Sequence, residues 1–193
     1  MVALEESAQS LVRKIIKRGD NPPHGYAPKK KGNFINVEWV EMKIVESIVK
    51  FGTKVVFIDQ LDFVVAQDNI GDRHDLKIAQ TMRQLHDIAV RWDVAIFLIC
   101  HIAQLEPDIK PTLKNLRGSS AIWGECDNAI LLWRECKREK GEIAYSNNVL
   151  VMLQANREDG DTGNITMIYD NGKFMEFDWK HEQEDEVFKK AGF

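Results

Sequence analysis

Apolar positions along the chain switch between helical and strand-like spacing in an order that predicts an α/β fold. Val40, Ile44, Ile48 and Phe51 recur every three or four residues, which puts them on one stripe and predicts a helix over 37–51. Val55-Val56-Phe57-Ile58 follows as a short run without polar interruption, the pattern of a strand covered on both faces. From 73 to about 92, Ile78, Met82, Leu85, Ile88 and Ala89 share a second helical face, and 94–100 reads as the next buried strand. Ahead of these, 2–4 reads as a short strand. A helix is expected over 7–17, with Ala8, Leu11, Val12, Ile15 and Ile16 on one side.

Punctuation between these elements is clear. Residues 19–32 contain Pro22, Pro23, Pro28 and the triplet Lys29-Lys30-Lys31, a break or surface excursion. Residues 67–72 are polar, and 102–112 form a loop marked by Pro107 and Pro111. A short helix is expected at 119–124, with strands at 129–133 and 149–153 joined through a charged connection, 137–142, read as loop. The turn Gly160-Asp161-Thr162-Gly163 sets up 164–169 as a hairpin partner. Residues 173–177 add an edge strand, and the acidic stretch 181–186 is a solvated helix or tail. Helix, strand, helix, strand and then hairpins give a mostly parallel sheet with an antiparallel edge. Its ligand crevice belongs at the C-terminal strand ends, where Asp59 and His101 both fall.

Composition narrows the class without choosing a function. With 193 residues, 44% of them hydrophobic, one substantial core is expected: a domain over 1–180 followed by an acidic tail, 181–193. A formal net charge of −4 excludes a generally basic nucleic-acid coat, although 26 basic and 30 acidic residues leave room for a local basic channel. Cys100, Cys126 and Cys136 have no metal-ligand or paired spacing, so reduced intracellular thiols are expected. No leader and no apolar run of membrane-spanning length is legible, and the opening Met1-Val2-Ala3-Leu4 reads like the interior of a longer protein, an excised fragment.

The candidate chemistry starts at Asp59. A buried strand that delivers an Asp at its C-terminal end can hold a hydrated Mg²⁺ beside phosphates, though any central parallel strand can end this way. The phosphate-cradling partner is missing: none of the 12 Gly belongs to a G-x-x-x-x-G-K-S/T loop, and the one Gly-Lys, Gly172-Lys173, is followed by Phe174. The five His residues share no metal-ligand spacing, and no metal site built purely of protein ligands is expected.

Three motifs, in order, carry a family resemblance. Lys110-Pro111-Thr112-Leu113-Lys114-Asn115-Leu116-Arg117-Gly118-Ser119-Ser120-Ala121-Ile122 is similar to P-x-L-x-D-L-R-E/G-S-G-A-I, and Asp127 to Arg134 continues as D-x-I/V-x-x-L-x-R. Leu4-Glu5-Glu6-Ser7 resembles a strand-end L-E-M/E-S, and Asn156 to Gly163 resembles K-x-R-x-x-G-x-T-G. Together, with Asp59 and Cys100-His101 between them, they resemble the RecA-like motor domain of hexameric replicative DNA helicases: the DnaB type, phage primase-helicases and Twinkle. The likeness runs from about 4 to 177. It implies a RecA-like P-loop NTPase core with helices on both faces of the sheet and an antiparallel hairpin edge, its P-loop strand and helix missing here.

The resemblance also assigns roles. Glu5 becomes the carboxylate that orients or deprotonates the attacking water; otherwise it is a Glu opening a helix, favoured by the dipole. Asp59 becomes the metal-side carboxylate, holding Mg²⁺ through water, and Asp62 a surface or capping group. His101 becomes the γ-phosphate sensor; a lone His is otherwise unremarkable. Arg157 becomes the finger inserted into a neighbouring subunit's nucleotide, but the companion Lys position is Ala155, so either one cationic contact is lost or it comes from elsewhere, such as Arg134 or Lys137. Residues 67–72 and 103–119 become loops holding single-stranded DNA, through Arg117, Gly118 and Ser119 and more weakly Lys110 and Lys114; without the resemblance they are solvated surface. The implied substrates are ATP or another NTP and single-stranded DNA. A ring hexamer is implied, with primase or another replication protein as a further partner, acting in a bacterial cytoplasm as a bacterial or phage product. Two other readings stay open: a non-catalytic DNA-binding or assembly module descended from such an ATPase, and a recombinase-like RecA-fold ATPase.

Overall fold

The computed structural model describes residues 26, 28, 35–65, 74–102, 105–116, 119–171 and 173–176. The expected strand at 2–4, the helix at 7–17, most of the 19–32 break, the 67–72 loop and the acidic tail lie outside these residues. The described residues fall into two compact units. One runs up to Leu105 and includes Thr112–Asp127; the other joins Glu106–Pro111 to the strands from Asn128 onward.

The first unit begins with helix α1, Val37–Phe51. The side chain of Asn36 accepts a hydrogen bond from the Trp39 amide at 3.0 Å, satisfying one of the orphan donors at the helix start. Gly52 ends the helix in the left-handed region at φ 64, its amide bonded to the Ile48 carbonyl at 2.8 Å. Val37, Val40 and Ile44 are buried as their spacing predicts. Ile48 is half-buried and packs against the same core, whereas Phe51 is exposed; Ser47 is fully buried, its hydroxyl donating to the Ile44 carbonyl at 2.8 Å. Strand β1, Val55–Asp59, a 3-10 turn, Leu61–Phe63, and helix α2, His74–Trp92, follow. Asp93, at φ 51, turns the chain into strand β2, Ala95–Ile99. Glu41 fixes the end of α2 to α1, accepting from Arg91 Nη1 and Trp92 Nε1, both at 2.8 Å.

β1 and β2 pair in parallel, Val55 opposite Ala95 through Asp59 opposite Ile99. Val56 and Ile58 are fully buried in one core with Val40, Ile44, Leu85 and Ile88, so α1 and α2 share that face of the strand pair. The other face, Val55, Phe57, Phe97 and Ile99, stays partly exposed, with Phe57 and Phe97 stacked at 4.9 Å. A strand expected to be covered on both sides is therefore covered on one among the described residues. A second core gathers Leu61, Val65, Ile78, Met82 and Ile122, the last from the short helix α3, Ser119–Glu125, which Arg83 ties to α2 through Glu125 at 2.7 Å.

The second unit is an antiparallel meander, β3 (Asn128–Glu139), β4 (Glu142–Asn156), β5 (Gly163–Asp170) and β6 (Lys173–Glu176), in that spatial order. The charged stretch read as a loop, 137–142, is instead the end of a long hairpin. Lys140 and Gly141 turn it in two residues at φ 51 and 88, the double left-handed geometry that matches strand twist. Register shifts between Ala129 and Ile130 and between Arg134 and Cys136 keep the two long strands paired despite their broken polar alternation. Leu131, Val149 and Met152 are its buried apolar residues.

Candidate nucleotide and DNA site

The first unit brings two of the expected site residues to one edge. Asp59 is the last residue of β1, half-buried, and His101, exposed, lies two residues beyond Ile99, the partner of Asp59 across the parallel pair. Parallel strands point the same way, so Asp59 and the segment that carries His101 leave the strand pair at the same end. Cys100 and Asp62 are at this edge too. Burial, and then the Asp62 carboxylate and the Cys126 thiol, push the Cys100 thiol up to about 11, so it stays protonated and inert at neutral pH. Asp62 sits inside the 3-10 turn; Gln60 occupies the capping position, without a side-chain capping bond.

Sequence reasoning passed over Gln60. Its Oε1 is buried with no hydrogen-bond partner, immediately after Asp59, and the Asp59–Gln60 peptide is cis. A buried amide oxygen without a partner is costly and rare, which makes it a pointer to a polar occupant. The only signal in the sequence was its place behind the strand-end Asp. No group of three or more His, Cys, Asp and Glu able to hold a metal occurs among the described residues. One half-buried carboxylate fits an ion held mainly by phosphates and water, the usual habit of Mg²⁺, better than a resident caged ion.

Directly after His101 the chain enters the expected DNA loop. Ile102 pairs with Leu116 in an isolated antiparallel bridge that clasps the base of this loop. Within it, the Asn115 side-chain oxygen accepts from the Thr112 amide at 2.8 Å and hydroxyl at 2.9 Å, while the Asn115 amide returns to the Thr112 carbonyl at 3.0 Å. This closes a 3-10 turn, Leu113–Asn115, that presents Lys114 to solvent. Lys110 is exposed as well, on the Glu106–Pro111 segment of the second unit. Ser119 opens α3; Arg117, Gly118 and Glu5 lie outside the described residues.

Arg157 belongs to the second unit, at the exposed start of the turn that leaves β4. Asn156 shapes this turn, its side chain accepting from the Glu158 amide at 3.2 Å and its carbonyl from the Gly160 amide at 3.1 Å. Ala155, where the family carries Lys, is inside β4 opposite Ala129. Arg134 donates to the Ser146 carbonyl at 2.8 Å and lies over the Tyr145 ring at 5.3 Å, so it is committed to the hairpin rather than standing in for that Lys.

The sequence model of the DnaB-like helicase C-terminal domain matches residues 29–178. Among curated proteins, no relative matches the chain in sequence. Among solved structures, a DnaB-like replicative helicase studied with its interactions with primase superposes at TM-score 0.72 and 20% identity, over 92% of this chain and 51% of the other. An isolated ATPase domain follows at TM-score 0.68 and 18% identity, over 92% of this chain and 75% of that one. A KaiC-like protein from the archaeon Pyrococcus horikoshii gives TM-score 0.58 at 12% identity, over 92% of this chain and 74% of that protein. The chain thus spans about half the length of the replicative helicase it resembles, and all three likenesses place it in the RecA-like fold. With the strand-end Asp59 and His101, the clasped loop and a family match over residues 29–178, the chain belongs to the DnaB-like helicase C-terminal domain family.

Proposed function

We propose that the chain is the C-terminal part of an NTP-driven replicative DNA helicase motor, in which hydrolysis at subunit interfaces moves single-stranded DNA through a ring hexamer. The observation that carries this reading is the continuity from Asp59 and His101, on neighbouring strand ends, to the loop clasped by Ile102 and Leu116 immediately after His101. A side chain that donates to the γ-phosphate from that position transmits the presence or loss of the phosphate to the loop through one residue of backbone. Asp59 would hold Mg²⁺ through water, and the ion would neutralise phosphate charge. Glu5 holds the attacking water, Arg157 reaches a neighbour's nucleotide, and Lys110, Lys114, Arg117, Gly118 and Ser119 follow DNA phosphates without reading bases. ATP or another NTP is the substrate, primase or another replication protein a further partner, and the bacterial cytoplasm the site of action, for a bacterial or phage product. No described helix is long and apolar enough to cross a membrane.

A second reading, a non-catalytic DNA-binding or assembly module, is favoured by Ala155 and by the lack of a phosphate loop within the 193 residues. Steady-state NTP hydrolysis by this chain alone separates activity in the chain from activity in a longer motor. The expected result is weak or absent turnover with or without single-stranded DNA, because the amide nest and Lys of a phosphate loop supply much of the phosphate binding. Robust DNA-stimulated turnover by the pure chain contradicts it.

A further inference from the structure

The segment Glu106–Pro111 is fastened along β3 by three side chains spaced over six residues. Arg138 Nε and Nη2 meet the two carboxylate oxygens of Asp108 at 3.0 and 3.1 Å, and Nη2 also meets Glu106 Oε2 at 2.6 Å. Trp133 Nε1 and Cys136 Sγ both donate to the Pro107 carbonyl, each at 3.0 Å. These donors lie at and beside the part of the hairpin that β5 does not extend. The pairing of β4 with β5 stops at Asn148, while β3 and β4 continue through Arg138 opposite Ile143 to Glu139 opposite Glu142. A two-stranded hairpin is marginal by itself, so the strap braces the hairpin as much as the hairpin holds the strap.

The strap has an electrostatic side. Glu106 and Asp108 stand four and two residues from Lys110, in a segment read above as part of the DNA loop. Left to themselves, two carboxylates there would repel the phosphates that Lys110 attracts. The Arg138 guanidinium, through its fork-like bond and charge, holds the Asp108 carboxyl below its ordinary range and engages Glu106 as well. We infer that Arg138 is a positioning residue for single-stranded DNA binding, one that pins Glu106 and Asp108 to β3 and leaves Lys110 as the charge the DNA meets. This rests on the reading of 103–119 as a DNA loop.

The test is the fluorescence anisotropy of a labelled oligo(dT) titrated with the full chain at several salt concentrations. Arg138→Gln is expected to weaken binding roughly three- to ten-fold, and Arg138→Lys less, since Lys keeps the charge and loses the fork. Adding Glu106→Gln and Asp108→Asn to Arg138→Gln is expected to restore affinity to within about two-fold, because the repulsion is removed with its source. In a Lys110→Ala background Arg138→Gln is expected to add little. Wild-type binding by Arg138→Gln, alongside weakened Lys110→Ala, overturns the inference and leaves the DNA loop standing. A loss that the triple variant does not restore, with a lowered melting temperature, makes Arg138 merely structural. A full additional loss in the Lys110→Ala background makes it a direct phosphate contact, and either result overturns the inference. If the chain binds no oligo(dT), or Lys110→Ala, Lys114→Ala and Arg117→Ala all bind as wild type, the underlying reading fails instead.

Discussion

Asp59, Gln60, Cys100 and His101 are four polar residues at the mouths of two adjacent parallel strands, and they differ in how far each is open to solvent. Asp59 keeps partial solvent access, Gln60 presents a buried oxygen with no partner, and His101 is open to ligand. Cys100 is the opposite case. Its thiol, raised to about 11 by burial and then by Asp62, gives almost no thiolate at pH 8. Timed alkylation with iodoacetamide at pH 8, read by peptide mass spectrometry, should therefore modify Cys100 last of the three cysteines. Early modification of Cys100 would show that its environment is more polar than described. The Glu46 carboxylate is lowered to about 2, first by its bond from Lys43 and then by that from Lys50, at 2.6 Å each. A depressed carboxylate adds stability above its unfolded value, near 4.5, that is lost as pH falls toward about 2. Acid unfolding followed by circular dichroism should accordingly be shallower between about pH 4.5 and 2 in Glu46→Gln than in the wild type.

At the scale of elements, the ends of helices are where local chemistry decides. Gly52 has open space around the position a Cβ would take, yet its φ of 64 disfavours any L side chain. Gly52→Ala should cost about 1–2 kcal/mol, seen as a lowered urea midpoint with an unchanged slope. The helix over 37–51 was legible in the sequence from apolar spacing alone, and the structure adds the reason for its ends, the Asn36 cap and the left-handed Gly52 stop. The hairpin at 137–142 was not legible. It is a run of charged residues without apolar alternation, and the turn places Lys140, not the customary Asn or Asp, at the first left-handed position. β1 was recognised as a strand, and among the described residues one of its faces is covered. A run of four apolar residues says that both faces avoid water; it does not say which elements cover them.

At the scale of the molecule, the RecA-like fold and the helicase family were legible from three motifs, since catalytic geometry constrains spacing more tightly than packing constrains composition. Of the site, the Asp59–His101 edge could be placed from the order of elements alone, because parallel strands bring their C-terminal ends together. Gln60 and the Arg138 strap could not be. The first depends on burial of an amide oxygen, and the second on partners about 30 residues away, neither of which a local pattern announces. In the proposed function the strand-end pair serves the nucleotide and reports to the loop that follows it. The most direct test is NTP hydrolysis, with and without single-stranded DNA, by the native gene product that contains these residues, wild type against Asp59→Asn and His101→Ala. Asp59→Asn is expected to lose at least about a hundred-fold in turnover, while His101→Ala loses the stimulation by DNA along with part of its basal rate. Undiminished, DNA-stimulated turnover in both variants, or no turnover in the wild type, would contradict the proposed function.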